Sequence, residues 1–149
     1  MPLPPPQAPR PRGRHLLLYD GPCGLCNRLV AFLLPRDVAA VFAFAPLQSA
    51  TGQSWLRRFG RATDDLRTFH VVTNYRSESP SLLSKSRAAL FVTTSLGGPW
   101  RAFRVFRLLP PRTLDRLYDA VARNRHRLFG RHGTCPLPAP EYRPRFIDL

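Results

Sequence analysis

The sequence predicts an α/β domain, with a small mixed central sheet of about four strands flanked by helices and a helical C-terminal region. Three observations lead there. His15–Tyr19 is a short apolar run closed by Asp20-Gly21-Pro22, after which apolar residues recur at helical spacing. Three further short runs, near residues 41–47, 68–73 and 81–85, are bounded by polar or turn-forming residues. Beyond Ser86 only helical patterns remain.

The elements follow in order. Residues 1–14 hold six prolines together with Arg10, Arg12, Gly13 and Arg14, a composition that opposes both helix and sheet; a flexible arm is expected there. His15–Tyr19 reads as a buried strand. From Gly24, residues Leu25, Leu29, Phe32 and Leu33 mark a helix that Pro35 should stop. In Val41–Leu47, Phe42 and Phe44 alternate with Val41, Ala43 and Ala45, as in a second strand. Ser49 is placed to cap a helix carrying Trp55, Leu56 and Phe59 and ending at Gly60. Thr68–Thr73 is rich in β-branched and aromatic residues and reads as a third strand. The short polar link Asn74–Pro80 makes the fourth, Ser81–Lys85, antiparallel to it.

Ser86 should cap a helix running to Leu96, closed by Gly97-Gly98, and Pro99 suits the first turn of the next. In that helix Trp100, Phe103 and Phe106 are expected in the core, with Arg101, Arg104 and Arg107 on another side. Pro110-Pro111 breaks it. Thr113 opens a last helix, ended by Gly130, whose apolar side carries Leu114, Leu117, Tyr118, Val121, Leu128 and Phe129. The tail from Cys135 should wrap the surface in extended form. The order is βαβαββααα, in one domain spanning residues 15–149.

Composition narrows the function. The chain of 149 residues is 44% hydrophobic, ample for one core. Its formal charge is +14, and Lys85 is the single lysine among 23 basic residues. The arginines are spread along the chain, which suits codon preference better than a dedicated phosphate site. Three unevenly spaced cysteines do not make a secreted disulfide scaffold. No signal peptide is evident, and no apolar run approaches the ~20 residues needed to span a bilayer. A reducing, cytoplasmic setting is expected, where C-x-x-C is more often catalytic or metal-binding than a permanent cross-link.

Cys23 and Cys26 are that C-x-x-C, placed between strand and helix. Three readings apply: a redox pair, half of a metal site, or two buried small side chains. At the helix start Cys23 faces free backbone N–H groups that favour a thiolate, and Cys26 lies one turn on, within bonding reach. The redox reading makes Cys23 the nucleophile and Cys26 the resolving thiol. Asp20 either accepts a proton from Cys26 or caps the turn with its side chain.

The run YDGPCGLCNRLVAFLL resembles the opening of the DCC family of thiol-disulfide oxidoreductases, named for an Asp and two Cys in a D-G-x-C-x-x-C pattern. Asp20, Gly21, Cys23 and Cys26 fall in place. FAPLQS at Phe44–Ser49, the pair Ser86 and Ala88, and RNRHRLFGRHGTCPLP from Arg123, with Cys135, resemble its later blocks. The resemblance implies a thioredoxin-like fold and redox action on disulfides through Cys23 and Cys26. Thioredoxins carry a cis-proline before the third strand, where this chain has DDLRTFH; the loop NYRSESP is longer than usual, and Arg87 replaces a common acid.

The implied function is thiol-disulfide exchange with a disulfide-bearing protein or a small thiol, reset by a thiol donor, with no cofactor and no nucleic-acid partner. Two rivals stand beside it. Cys23, Cys26, Cys135 and His132 have the composition of a Cys₃His zinc site. Alternatively Arg101, Arg104, Arg107, Arg116, Arg123, Arg127 and Arg131 form a patch for nucleic acid or an anionic surface. Cys135 otherwise packs the tail or serves as a backup thiol. His70 is expected to be a partnered packing residue, and His126 a solvated one.

Overall fold

In a computed structural model of the chain, residues 14–37, 39–64, 68–130 and 140–147 are described. Strands β1 (His15–Tyr19), β2 (Phe42–Pro46), β3 (His70–Thr73) and β4 (Ser81–Ser84) form one sheet in the order β2-β1-β3-β4. β1 runs parallel to β2, with Leu17 opposite Phe44, and antiparallel to β3, with Leu17 opposite Val71. β3 and β4 are antiparallel. The parallel pair needs a crossover, supplied by α1 (Gly24–Arg36). α2 (Ala50–Arg58) returns the chain toward β3. The mixed four-stranded sheet flanked by helices has the thioredoxin-like arrangement.

Strand alternation splits the core into two layers. Leu17, Tyr19, Phe42, Phe44 and Val71 point to one face, where they pack with Val30 and Leu33 of α1 and with Ala88 and Val92 of α3 (Lys85–Ser95). Leu16, Leu18, Ala43, Ala45 and Val72 point to the other, against Leu56, Trp55 and Phe59 of the α2 segment. Burial on both faces explains why β1 after His15, and all of β2, are apolar. Ser49 caps α2 as expected, its hydroxyl accepting from the Gly52 N–H at 3.0 Å. His70 is buried and bonds Ser84 Oγ through Nδ1 at 2.7 Å.

Several expectations are corrected. Pro35 does not stop α1, which runs one residue further. A proline in the last turn loses only one backbone bond, and its carbonyl side is free to end the helix. The residue preceding α3 is Ser84, and Ser86 lies inside the helix with its hydroxyl donating to Asp115 Oδ1 at 2.5 Å. The segment Gly98–Leu108 is a 3₁₀ helix with no buried residue. At three residues per turn its aromatic positions align along one edge: Trp100 stacks on Phe103 at 5.9 Å, and Phe103 meets Phe106 at 5.6 Å. They form a surface ladder, not core. α4 begins at Pro111, earlier than Thr113, and ends at Phe129. Leu117, Val121 and Leu128, expected in the core, are 59%, 48% and 67% exposed. The side of α4 that meets the body carries Tyr118, Asp115 and Arg125 instead.

The tail is also corrected where it is described. Pro140–Arg145 is a 3₁₀ turn, not an extended wrap, and Phe146 bridges to Phe44 beside β2. Arg145 anchors it. This buried guanidinium pairs with Asp37 and donates to the Phe42 carbonyl at 3.0 and 3.1 Å. Asp37 in turn accepts the N–H groups of Val41 and Phe42, both at 3.0 Å, and so fixes the elbow between α1 and β2. Removing one member of a buried pair strands the other charge, at a cost of about 3–5 kcal/mol. Arg145→Met should therefore lower the urea-unfolding free energy by that order. Exposed Arg143→Ala should change it by less than about 0.5 kcal/mol.

Candidate active site

Cys23 occupies the N-cap of α1 with extended backbone angles (φ −73°, ψ 123°) and has no side-chain capping bond. Its carbonyl starts the helix by accepting from Asn27 N–H at 3.1 Å. The tight turn before it is held on three sides. Cys23 N–H donates to the Asp20 carbonyl at 3.2 Å. The Asn27 side-chain amide donates to the carbonyls of Gly21 and Cys23 at 2.6 and 2.8 Å. Gln48, in the loop after β2, accepts the Gly21 N–H at 3.1 Å. A turn braced from both the helix and the next loop keeps the helix N-terminus aimed at the Cys23 sulfur.

Both thiols are free and buried. The Cys26 S–H donates to the Cys23 sulfur, and this bond is the largest cause lowering the Cys23 thiol from its ordinary 9.0 to about 6. Burial opposes the shift, while the Cys26 and Leu25 backbone N–H groups and the Arg125 charge reinforce it. Cys26 moves the other way. Donation to Cys23, burial and the Cys23 charge push its pKa far up, against a smaller opposing pull from the Asp20 N–H and Arg125. One sulfur is thus set up as the anion and its neighbour as the proton holder.

Asp20 lies under this pair, but its carboxylate is engaged elsewhere. Oδ2 accepts from Arg125 at 2.9 Å in a buried ion pair, and Oδ1 accepts from Gln48 at 2.6 Å. The turn is capped by its main-chain carbonyl, not by its side chain. Arg125 comes from α4, 105 residues along the chain, and is 5% exposed. Tyr118, two turns earlier on α4, accepts the Phe69 N–H at 2.8 Å, and burial pushes its hydroxyl up to about 12. An apolar cleft of about 160 Å³ opens beside Cys26, lined also by Leu25, Leu29, Phe69, Tyr118 and Val121. Cys23 itself has no exposed surface (0%), whereas Cys26 retains 8%.

Over residues 17–131 the chain matches the DCC1-like thiol-disulfide oxidoreductase family. The chain belongs to this family. The uncharacterized protein YuxK of Bacillus subtilis is 39% identical over 133 residues, 89% of this chain and 93% of YuxK. A DCC family protein of Arabidopsis thaliana, named as chloroplastic, is 37% identical over 125 residues, 83% of this chain and 70% of that protein. No solved structure matches the chain.

The DCC1-like match covers Asp20, Cys23 and Cys26, which the fold brings to one place. It does not bring His70 there. Cys135 and His132, needed for the zinc reading, lie outside the described residues; so does the side chain of His126. Among the described residues no three His, Cys, Asp or Glu side chains gather as a metal site, and no helix is long and apolar enough to cross a membrane. Among them, too, there is no cis peptide bond. Sequence reasoning missed Arg125, Gln48, Asn27 and Tyr118. Arg125 sits among Arg123, Arg127 and other charges, so nothing in the pattern marks it as the one turned inward.

Two outcomes follow. Removing the Arg125 charge should raise the Cys23 pKa, read as an alkaline displacement of the pH profile of alkylation in Arg125→Met, with Arg125→Lys recovering part of the displacement. Reduced protein should also gain stability with pH. The folded thiol titrates near 6 and the unfolded one near 9.0, so the unfolded chain binds more protons between them. Stability relative to Cys23→Ser should rise from about pH 6 to about pH 9 and be lost as pH falls through 6, measured by urea unfolding in the presence of reductant.

Proposed function

We propose that this protein exchanges disulfides through Cys23 and Cys26 with a protein or small-molecule thiol partner, as a single domain spanning residues 15–149 in a reducing, cytoplasmic setting. One observation carries the reading: two free, buried thiols three residues apart at the start of α1, the second donating a hydrogen bond to the sulfur of the first. Membership of the DCC1-like thiol-disulfide oxidoreductase family supports it.

The steps follow from the charges. The Cys23 thiolate attacks one sulfur of a substrate disulfide; the other sulfur leaves as a thiolate and takes a proton from solvent. Cys23 is now neutral in a mixed disulfide. Two of the causes that held the Cys26 proton, the bond to an anion and the anion's charge, vanish together, while Arg125 and the Asp20 N–H remain. Cys26 then gives its proton to solvent, attacks the Cys23 sulfur and releases the second substrate thiolate. The substrate has gained two electrons and the pair is a disulfide, which an external dithiol donor reduces again. The Asp20 carboxylate holds Arg125 in place throughout, and its role is to position that charge. A stabilised thiolate favours the reduced pair, so the potential shifts toward the oxidising side.

Because Cys23 has no exposed surface, attack requires the start of α1 to be uncovered. The described contact at that point is Gly24 N–H to the Gly130 carbonyl, 3.2 Å, where α4 ends. Small disulfides should therefore react faster than folded protein disulfides.

The test is a redox titration against glutathione with Cys135→Ser, so that only one pair is present. A two-electron transition with an intramolecular disulfide is expected. Cys26→Ser should accumulate the mixed disulfide, and Cys23→Ser should lose exchange by at least about a hundredfold. A Cys23 that alkylates only as an ordinary thiol near pH 8.5, with no disulfide formed at any potential, would remove the assignment.

A further inference from the structure

We infer that the outer face of α4 and the adjoining 3₁₀ segment form a docking surface for an anionic lipid bilayer. Every large apolar side chain that stands out in solvent among the described residues lies between Val105 and Leu128. Val105, Phe106, Leu108 and Leu109 project from the end of the 3₁₀ segment, with Leu108 85% exposed. On α4, at about 3.6 residues per turn, Leu117, Val121 and Leu128 fall on one stripe. The two groups adjoin: Arg107 and Leu109 border the same cavity as Pro111 and Leu114 at the start of α4.

Charge chooses the occupant. Arg116, Arg123 and Arg127 follow the α4 stripe along one flank, and Arg101, Arg104 and Arg107 align along an edge of the 3₁₀ segment, all exposed. The acids between residues 98 and 130 are Asp115 and Asp119. Both are turned to α3, where Asp115 holds Ser86 at 2.5 Å and Asp119 pairs with Lys85 at 3.1 Å. Asp119 stays 45% exposed and shares a cleft with Arg123 and Asp64 at the α3 edge; the rest of the outward surface is apolar side chains and arginines. That is the pattern of a helix lying in a membrane interface, leucines in the acyl boundary and guanidinium groups among phosphates. A second copy of the chain would set arginine against arginine. Nucleic acid would use the arginines but leave Leu108, Leu117 and Leu128 in water, since phosphate contacts bury no aliphatic surface.

Val121 belongs both to this stripe and to the cleft beside Cys26. A docked molecule thus presents the mouth of that cleft at the lipid surface. The docking inference does not depend on the thiol chemistry.

The experiment is co-sedimentation of the full chain with vesicles of phosphatidylcholine alone or with about a third phosphatidylglycerol. Binding to the anionic vesicles should exceed binding to the neutral ones by at least roughly tenfold. It should weaken, without vanishing, as salt rises, because the leucines remain inserted. Leu117→Glu with Leu128→Glu should cost a further roughly tenfold while circular dichroism stays unchanged, since neither side chain is buried. Cys23→Ser should bind as the parent does, which separates this inference from the exchange reaction. Four results would overturn it: no anionic-vesicle binding, binding indifferent to the two leucine changes, tight binding to double-stranded DNA in preference to vesicles, or concentration-dependent dimers abolished by the same leucine changes.

Discussion

The buried pair between Asp20 and Arg125 is the contact on which the rest of the site depends. It ties the first residue of the turn after β1 to α4 across 105 positions of sequence. Two charges in a buried place are costly to desolvate, and their attraction repays that only when other hydrogen bonds complete them. Gln48 supplies one, bonding Asp20 with its amide N–H and the Gly21 backbone with its carbonyl. Two loops and a helix are therefore locked at once: the turn after β1, the link after β2, and the inner face of α4. The guanidinium left beneath the thiols is a by-product of that lock; its charge adds to the larger effect of the Cys26 hydrogen bond on Cys23, and on Cys26 it is outweighed by burial and the neighbouring thiolate.

That arrangement couples the helix to the redox state. A neutral thiol is a poor cap, and Cys23 makes no side-chain capping bond. As an anion it answers the free N–H groups and the dipole of α1. In the proposed exchange, oxidation would replace the anion with a neutral disulfide sulfur, and α1 would lose that electrostatic support when the pair closes. Asn27 and the Asp20 carbonyl hold the turn independently of charge. The backbone geometry can therefore outlast the change of charge.

How much of this was legible in the sequence differs by element. β1 and β2 were readable because burial on both sheet faces leaves unbroken apolar runs, with Phe42 and Phe44 to one side and Ala43 and Ala45 to the other. Ser49 was readable because a cap is a local device. Ser84 and Ser86 were confused because both are hydroxyl residues just ahead of the Ala88–Val92 apolar run; Ser86 lies inside the helix, where its hydroxyl meets Asp115 of α4, a contact no local window contains. The 3₁₀ segment was misread because three-residue and 3.6-residue spacing share their i and i+3 positions over a few turns. α4 was misread more instructively. Its leucines match a core pattern, yet the side turned inward carries Asp115, Tyr118 and Arg125, each chosen by a long-range partner that no local window contains. The thiol pair was legible from spacing and position. The charge beneath it was not, because a buried arginine and a solvated one look alike in a chain this basic.

Burial sorts the arginines that composition alone could not. Arg125 and Arg145 are each 5% exposed and paired with an aspartate, so they act inside the protein, one at the thiols and one on the tail. Codon preference can explain their choice over lysine; it cannot explain their partners. The exposed arginines of α4 and the 3₁₀ segment differ in outnumbering the acids of those elements, Asp115 and Asp119, and in sharing their surface with leucine, valine and phenylalanine. A codon bias would scatter arginine over any exposed position. It would not place large aliphatic side chains in water next to it, because each such residue gives up the transfer free energy that burial would have supplied. The apolar residues, not the charges, therefore distinguish a surface built to be covered from one that is merely basic.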